Sequence, residues 1–248
     1  MTNKHDIGTY SKLGEGINFY LSESFHYLNE SLIYEYASII FSKGIDKIDP
    51  SDADRKLIKN LSLPENPVEL LQTDNIEAIS DETAHQMAES WEKAQQMASF
   101  GQHSFGHKHE INSIEILGHL NNFGFFIETL VNRHLLFLNH TNEIDNLSYS
   151  RISTARIIDR LIYIFKDDLK LNKVQINEIA NLFALRNKTV HYTPDNAKAL
   201  KPKLSELLQI WKQAKKIIER LEKKERFNED KFSELLEKHI NETISCWK

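Results

Sequence analysis

Apolar residues recur at three- and four-residue intervals along most of the chain, the period of one face of an α-helix. From Glu15 to Ser42 the stripe is Ile17, Leu21, Phe25, Leu28, Leu32, Tyr36 and Ile39, which predicts an amphipathic helix stopped near Gly44. A more polar helix is predicted from Ser80, as its cap, to Phe100. Ile111 to His140 carries the longest apolar helix, with Ile114, Leu117, Leu120, Phe126, Leu130 and Leu138 as core candidates and Glu128, Asn132 and Arg133 as polar interruptions. Ser150 to Leu169 repeats the pattern through Ile158, Leu161, Ile162 and Phe165, and Lys173 to Lys188 does so through Ile176, Ile179 and Phe183. After Pro194 a last long helix turns Leu204, Leu207, Trp211, Ala214, Ile218 and Leu221 inward and its lysines outward. A short helix ending at Trp247 is predicted in the tail from Phe227.

The predicted fold class is therefore all-α. An antiparallel helical bundle over residues 111–225 follows a helical extension over 1–110 and precedes a tail over 226–248. Only 8 Gly and 5 Pro are available as turn-makers, which agrees with helices rather than sheet. The breaks fall between Asp46 and Pro67, where a short helix after Ser51 is flanked by Pro50, Pro64 and Pro67, and in the connector from Gly101 to Glu110. No apolar run approaches the roughly 18 residues of a membrane span, and Met1 to Tyr10 lacks the apolar segment of a secretory signal. Cys246 is the only cysteine, so no internal disulfide framework exists and a cytoplasmic location is expected.

Charge adds polarity along the chain. The net value is −5, but residues 1–110 carry 9 basic against 18 acidic side chains, a balance of −9. Residues 186–224 carry 11 against 4, a balance of +7. A lysine-rich solvated face and a polyanion-binding face both fit such a block. His103, His107 and His109 form the only cluster with metal-like spacing, but Gly106 interrupts any helix there, no Cys joins it and Glu110 is the only nearby carboxylate. A solvated loop is the expected reading, with no metal and no cofactor.

The positive block opens on Leu185-Arg186-Asn187-Lys188-Thr189-Val190-His191-Tyr192, closed by Thr193-Pro194. A permanent cation, an amide and an imidazole can together hold a phosphate and move a proton. Five positions on an unbroken helix separate two side chains by roughly 140° around the axis. Convergence then needs either a loosened last turn, which β-branched Thr189 and Val190 and the following Pro194 would favour, or a site shared between two copies of the chain. RNA can be cut without a metal when its 2′-hydroxyl attacks the adjacent phosphate. An imidazole can serve as base or acid in that step, and a guanidinium can stabilise the charge that builds on phosphorus oxygens. One histidine does not readily fill both proton-transfer roles, whereas two copies supply two.

Arg186-Asn187-Lys188-Thr189-Val190-His191 resembles the signature of the HEPN superfamily: Arg, four to six residues, then His, often with a polar residue after the Arg. The resemblance would cover roughly Ile111 to Lys224 and leaves the first 110 residues unexplained. It implies a four- or five-helix bundle and, in catalytic members, a metal-independent endoribonuclease that dimerises to build a composite site, as in toxins, antiphage effectors and CRISPR-associated ribonucleases. On that reading Arg186 stabilises the phosphorane, His191 transfers protons and Asn187 positions them. Lys188, Tyr192, Lys198, Lys201 and Lys203 are candidate RNA contacts, and Glu128, Asn132 or Arg133 would support the cleft from the first bundle helix. A second Arg-to-His match, Arg133 to His140, lies on one helix face two turns apart and reads as polar-face residues, Arg133 covering apolar surface with its stem. The implied partners are RNA, a second copy of the chain, and an antitoxin or defence-system protein. A non-catalytic module binding RNA, nucleotide or protein through the same cleft, and a purely structural helical adaptor, are the rival readings.

Overall fold

The computed structural model describes residues 7–43, 81–100, 106–225 and 231–247. These form nine α-helices: α1 (Ile7–Lys43), α2 (Asp81–Phe100), α3 (Ile116–His140), α4 (Asn146–Ile152), α5 (Ile157–Ile164), α6 (Leu169–Val190), α7 (Pro194–Ala199), α8 (Leu204–Lys224) and α9 (Phe232–Trp247). No strand occurs among the described residues, only an isolated bridge between Glu110 and Lys203. The expected Asp46 to Pro67 turns and His103 lie outside the described residues. No helix among those described is long and apolar enough to cross a membrane.

α3 is the axis of the molecule because it is apolar almost all round. Leu120, Phe123, Phe126, Ile127, Leu130 and Leu135 are buried on several sides of it. The part of its circumference that is not buried is a stripe through Asn121, Phe125, Glu128 and Asn132. Contacts fix the directions of its neighbours. Gly16 faces Thr129, Tyr20 meets Phe125, Ser24 bonds His119 and Glu35 accepts from the Asn112 N–H, so α1 runs antiparallel to α3. Gly118 makes the close approach possible: a Cβ there would lie 2.5 Å from the Tyr27 ring of α1.

Ile17, Leu21, Phe25, Leu28 and Leu32 of α1 join α3 residues and Trp211 of α8 in one hydrophobic core, which therefore runs through the boundary drawn at residue 110. At its centre the fully buried His119 ring bridges three helices. Its Nδ1 lies 2.9 Å from the Ser24 carbonyl, and its Nε2 accepts from the Trp211 indole N–H at 3.3 Å. The indole can only donate, so Nε2 is the acceptor and Nδ1 carries the proton. Burial holds this imidazole's pKa down at about 4.

Three predicted helices differ from those observed, each for a local reason. The helix expected from Ser150 to Leu169 is divided into α4 and α5, since Ser153 and Thr154 turn their hydroxyls onto the Ser150 and Arg151 carbonyls instead of continuing the ladder. The helix expected after Pro194 is divided into α7 and α8 by an extended segment that includes Pro202, which has no N–H to donate. The Pro202 carbonyl accepts from Ile111, and His109 and His107 accept from Leu204 and Ser205. This pairing also keeps Ile111 out of α3, which starts at Ile116. As a result Ile114 is 61 % exposed and is not a core residue, and Ile162 of α5 is half-exposed rather than buried.

Candidate functional site

The motif sits at the C-terminal end of α6. Pro194 occupies the first turn of α7 and holds Thr193 extended at φ −101° and ψ 164°, while the Thr193 hydroxyl accepts the Asn196 N–H. The chain therefore has to leave α6 just before Thr193, and His191 is its C-cap at φ −107° and ψ 58°. The expected loosening through Thr189 and Val190 is not observed. α6 stays helical to Val190, and the His191 N–H still donates to the Asn187 carbonyl at 3.2 Å. Arg186 and His191 thus leave the helix about 140° apart.

Arg186 turns toward the unburied stripe of α3. Gly124 leaves the space for its stem: a Cβ there would lie 3.4 Å from Arg186 Cγ and 3.7 Å from Nε. The guanidinium carbon lies 5.0 Å from the Phe125 ring centroid and 5.9 Å from that of Phe183. Its Nε is buried with no hydrogen-bond partner, and among the described residues no carboxylate pairs with the guanidinium. A desolvated N–H donor without an acceptor costs about 1–3 kcal/mol, a cost that an anion seated on the guanidinium would remove. Thr189 pins the helix end to α3, with its hydroxyl 2.7 Å from Asn121 Oδ1 and 2.7 Å from the Arg186 carbonyl.

His191 and Asn187 are exposed at the same end of α6, and neither ring nor amide has a side-chain partner among the described residues. Tyr192 is 49 % exposed, so it is not a core aromatic. Lys188 is half-buried, and Lys198, Lys201 and Lys203 are exposed. The last three lie on α7 and the extended segment ahead of α8 rather than on the long basic helix itself.

The supporting residues of α3 separate into two groups. Asn132 accepts a hydrogen bond from Arg160 of α5, and Glu128 lies 3.7 Å from the same guanidinium, so both stay on the stripe that carries Phe125. Arg133 is buried in another cluster, between the Tyr10 and Phe232 rings and 3.6 Å from Glu225. His134 at 2.8 Å and Tyr10 at 2.6 Å bond the same carboxylate. Burial would raise the Glu225 pKa, but the hydrogen bonds from His134 and Tyr10 and the nearby Arg133 charge outweigh it and hold it below the usual carboxylate range. Tyr10 is pushed up to about 12 by burial and by the carboxylate it faces. These groups tie the start of α1 and α9 to the end of α8, and Arg133 serves that junction.

Asn121, Gly124, Phe125 and Arg160 were not anticipated. Extending the Glu128 and Asn132 face back by one and two turns gives Phe125 and Asn121, so helical spacing held the signal for both. Elsewhere, a cavity of about 470 Å³ opens between α1, α2 and the start of α3. Its walls include Glu30, Glu92 and Glu115, a charge sign that repels phosphate. The described residues contain no group of three side chains able to hold a metal ion. No known protein family, curated protein or solved structure matches the chain.

Proposed function

We propose that the chain is a HEPN-type, metal-independent endoribonuclease whose site is completed by a second copy. The observation that carries this reading is the Arg186 guanidinium, held on Phe125 and Phe183 with no acidic partner among the described residues, five positions from an exposed imidazole. A partly buried guanidinium with a donor left unsatisfied fits an anionic ligand.

In the proposed reaction one His191 takes the proton of a ribose 2′-hydroxyl as that oxygen bonds to phosphorus. The bond from phosphorus to the 5′-oxygen breaks, and the His191 of the second copy protonates the leaving oxygen. Arg186 offers its N–H groups to the phosphoryl oxygens as their charge grows, and Asn187 orients phosphate or imidazole. Lys188, Lys198, Lys201 and Lys203 draw in the RNA backbone. The 140° divergence of Arg186 and His191 on one helix makes a shared site the simpler arrangement. A toxin or antiphage effector is the setting the resemblance suggests.

The test is incubation of RNA with the purified protein in EDTA. Cleavage leaving 2′,3′-cyclic phosphate ends, lost in both Arg186→Ala and His191→Ala, is the expected result; cleavage that survives either substitution overturns the assignment. A second reading, a non-catalytic RNA-binding module, is favoured by one observation: nothing among the described residues holds the His191 ring in a fixed orientation. Binding that needs Arg186 but never cleaves would support it.

A further inference from the structure

His191 is exposed, yet the backbone that carries it is held from both sides. Its N–H donates to the Asn187 carbonyl of α6 at 3.2 Å, so the peptide group before its Cα belongs to the helix. Its carbonyl, in the peptide group after the Cα, accepts from the Thr193 N–H at 2.9 Å and from the Asn196 side-chain amide. A carbonyl only accepts, so the Asn196 atom that meets it is Nδ2. The Thr193 bond spans two residues and closes a local turn over Tyr192, which by itself ties His191 to nothing else in the fold. Asn196 supplies that tie. Its own N–H donates to the Thr193 hydroxyl at 3.3 Å, and its carbonyl accepts at 2.8 Å from the N–H of Leu200, a residue buried in the main core. The chain of ties therefore runs from the core through Leu200 and Asn196 to His191.

We infer that Asn196 is a positioning residue: it anchors the second peptide group of His191 and so fixes the direction in which the imidazole leaves α6. The inference rests on the ribonuclease reading and extends it to a residue of α7. The two peptide planes that flank a Cα determine where its Cβ points. With one plane bonded into α6 and the other into α7, only the two side-chain torsions of His191 stay free, which agrees with a ring that has no partner among the described residues. Without Nδ2 the second plane is held by the local turn alone, at a helix end whose last carbonyls have no partners inside the helix and which opens most readily. A proton carrier serving a site shared between two copies has its reach set by that direction, and a displacement of about 1 Å at a reacting group can cost about a hundredfold in rate. Helical spacing gave no sign of Asn196, because it meets His191 only after the chain has turned at Thr193 and Pro194.

The test compares the full-length protein with Asn196→Ala, which removes the donor and keeps the backbone bonds, and with Asn196→His, which returns an N–H donor through Nδ1. RNA cleavage in EDTA is measured at concentrations where all three sediment alike. The expected result is a kcat about tenfold lower in Asn196→Ala with KM unchanged, and largely restored in Asn196→His. An unchanged kcat overturns the inference, and a KM that rises while kcat holds does so too, since Asn196 would then be an RNA contact. A readout that needs no cleavage is the NMR spectrum of protein carrying isotope-labelled histidine. In Asn196→Ala the His191 Cα and Cβ shifts should move toward those of an unfolded chain, while those of the buried His119 and His134 stay in place. His191 shifts that do not move overturn the inference whether or not RNA is cut. Movement of all three histidines together would mean that Asn196 serves the whole fold, and this also overturns it. Wild-type protein that leaves RNA intact would remove the nuclease reading, and the His191 shifts would still decide whether Asn196 holds that residue.

Discussion

At the residue scale, two buried nitrogens behave in opposite ways. Arg186 Nε has no acceptor and is held by rings, so Arg186→Met, which keeps the stem but not the donors, should cost little stability and yet abolish RNA cleavage. Thermal melting beside the EDTA cleavage assay checks this; a large fall in melting temperature would mean that Arg186 serves the fold. His119 has both ring nitrogens satisfied and its pKa held at about 4 rather than 6.5 by burial. Between those values the unfolded chain binds a proton that the folded chain refuses. Stability therefore falls as pH drops from 6.5 toward about 4. The full shift corresponds to about 3 kcal/mol. Urea denaturation at about pH 7 and about pH 5 should show a lower midpoint at the acid value, and His119→Gln should reduce the difference. Equal midpoints in the wild type would show that the ring is accessible to protons.

At the scale of elements, two glycines of α3 face different neighbours and should separate fold from site. Gly118→Ala drives a Cβ to 2.5 Å from the Tyr27 ring and should destabilise the α1 and α3 pair, by about 1–3 kcal/mol. Gly124→Ala meets Arg186 only at ordinary contact distance, 3.4 Å, and gains helix propensity of about 1 kcal/mol, so it should fold at least as well as the wild type. Gly124→Val adds branches into the Arg186 stem and should lower cleavage while the protein stays folded. Denaturation midpoints and cleavage rates of the three variants check the set, and a Gly118→Ala protein as stable as the wild type would contradict the packing. The same elements show what was legible beforehand. Periodicity located α1, α3, α6 and α8 because each presents a continuous apolar face. It did not find the interruptions at Ser153 and Pro202, where hydroxyl and carbonyl partners compete with the helical ladder, nor the intact helix through Val190. Phe125 escaped notice because an exposed aromatic on a buried helix has meaning only once Arg186 and Tyr20 are seen on either side of it.

At the scale of the whole molecule, one chain supplies one imidazole, directed about 140° away from its own Arg186. The first helix packs in the same core as the bundle, so deleting it should unfold the protein rather than unmask a site. Circular dichroism of a chain lacking residues 1–43 checks this, and a folded truncated bundle would contradict it. The proposed composite site would make activity a property of the pair. The most direct measurement is the rate of RNA cleavage per chain in EDTA over a dilution series, with the dimer fraction followed by sedimentation at each concentration. The account predicts that the rate tracks the dimer fraction and vanishes with it; a monomer that cuts at an undiminished rate, or a dimer that leaves RNA intact, would contradict it.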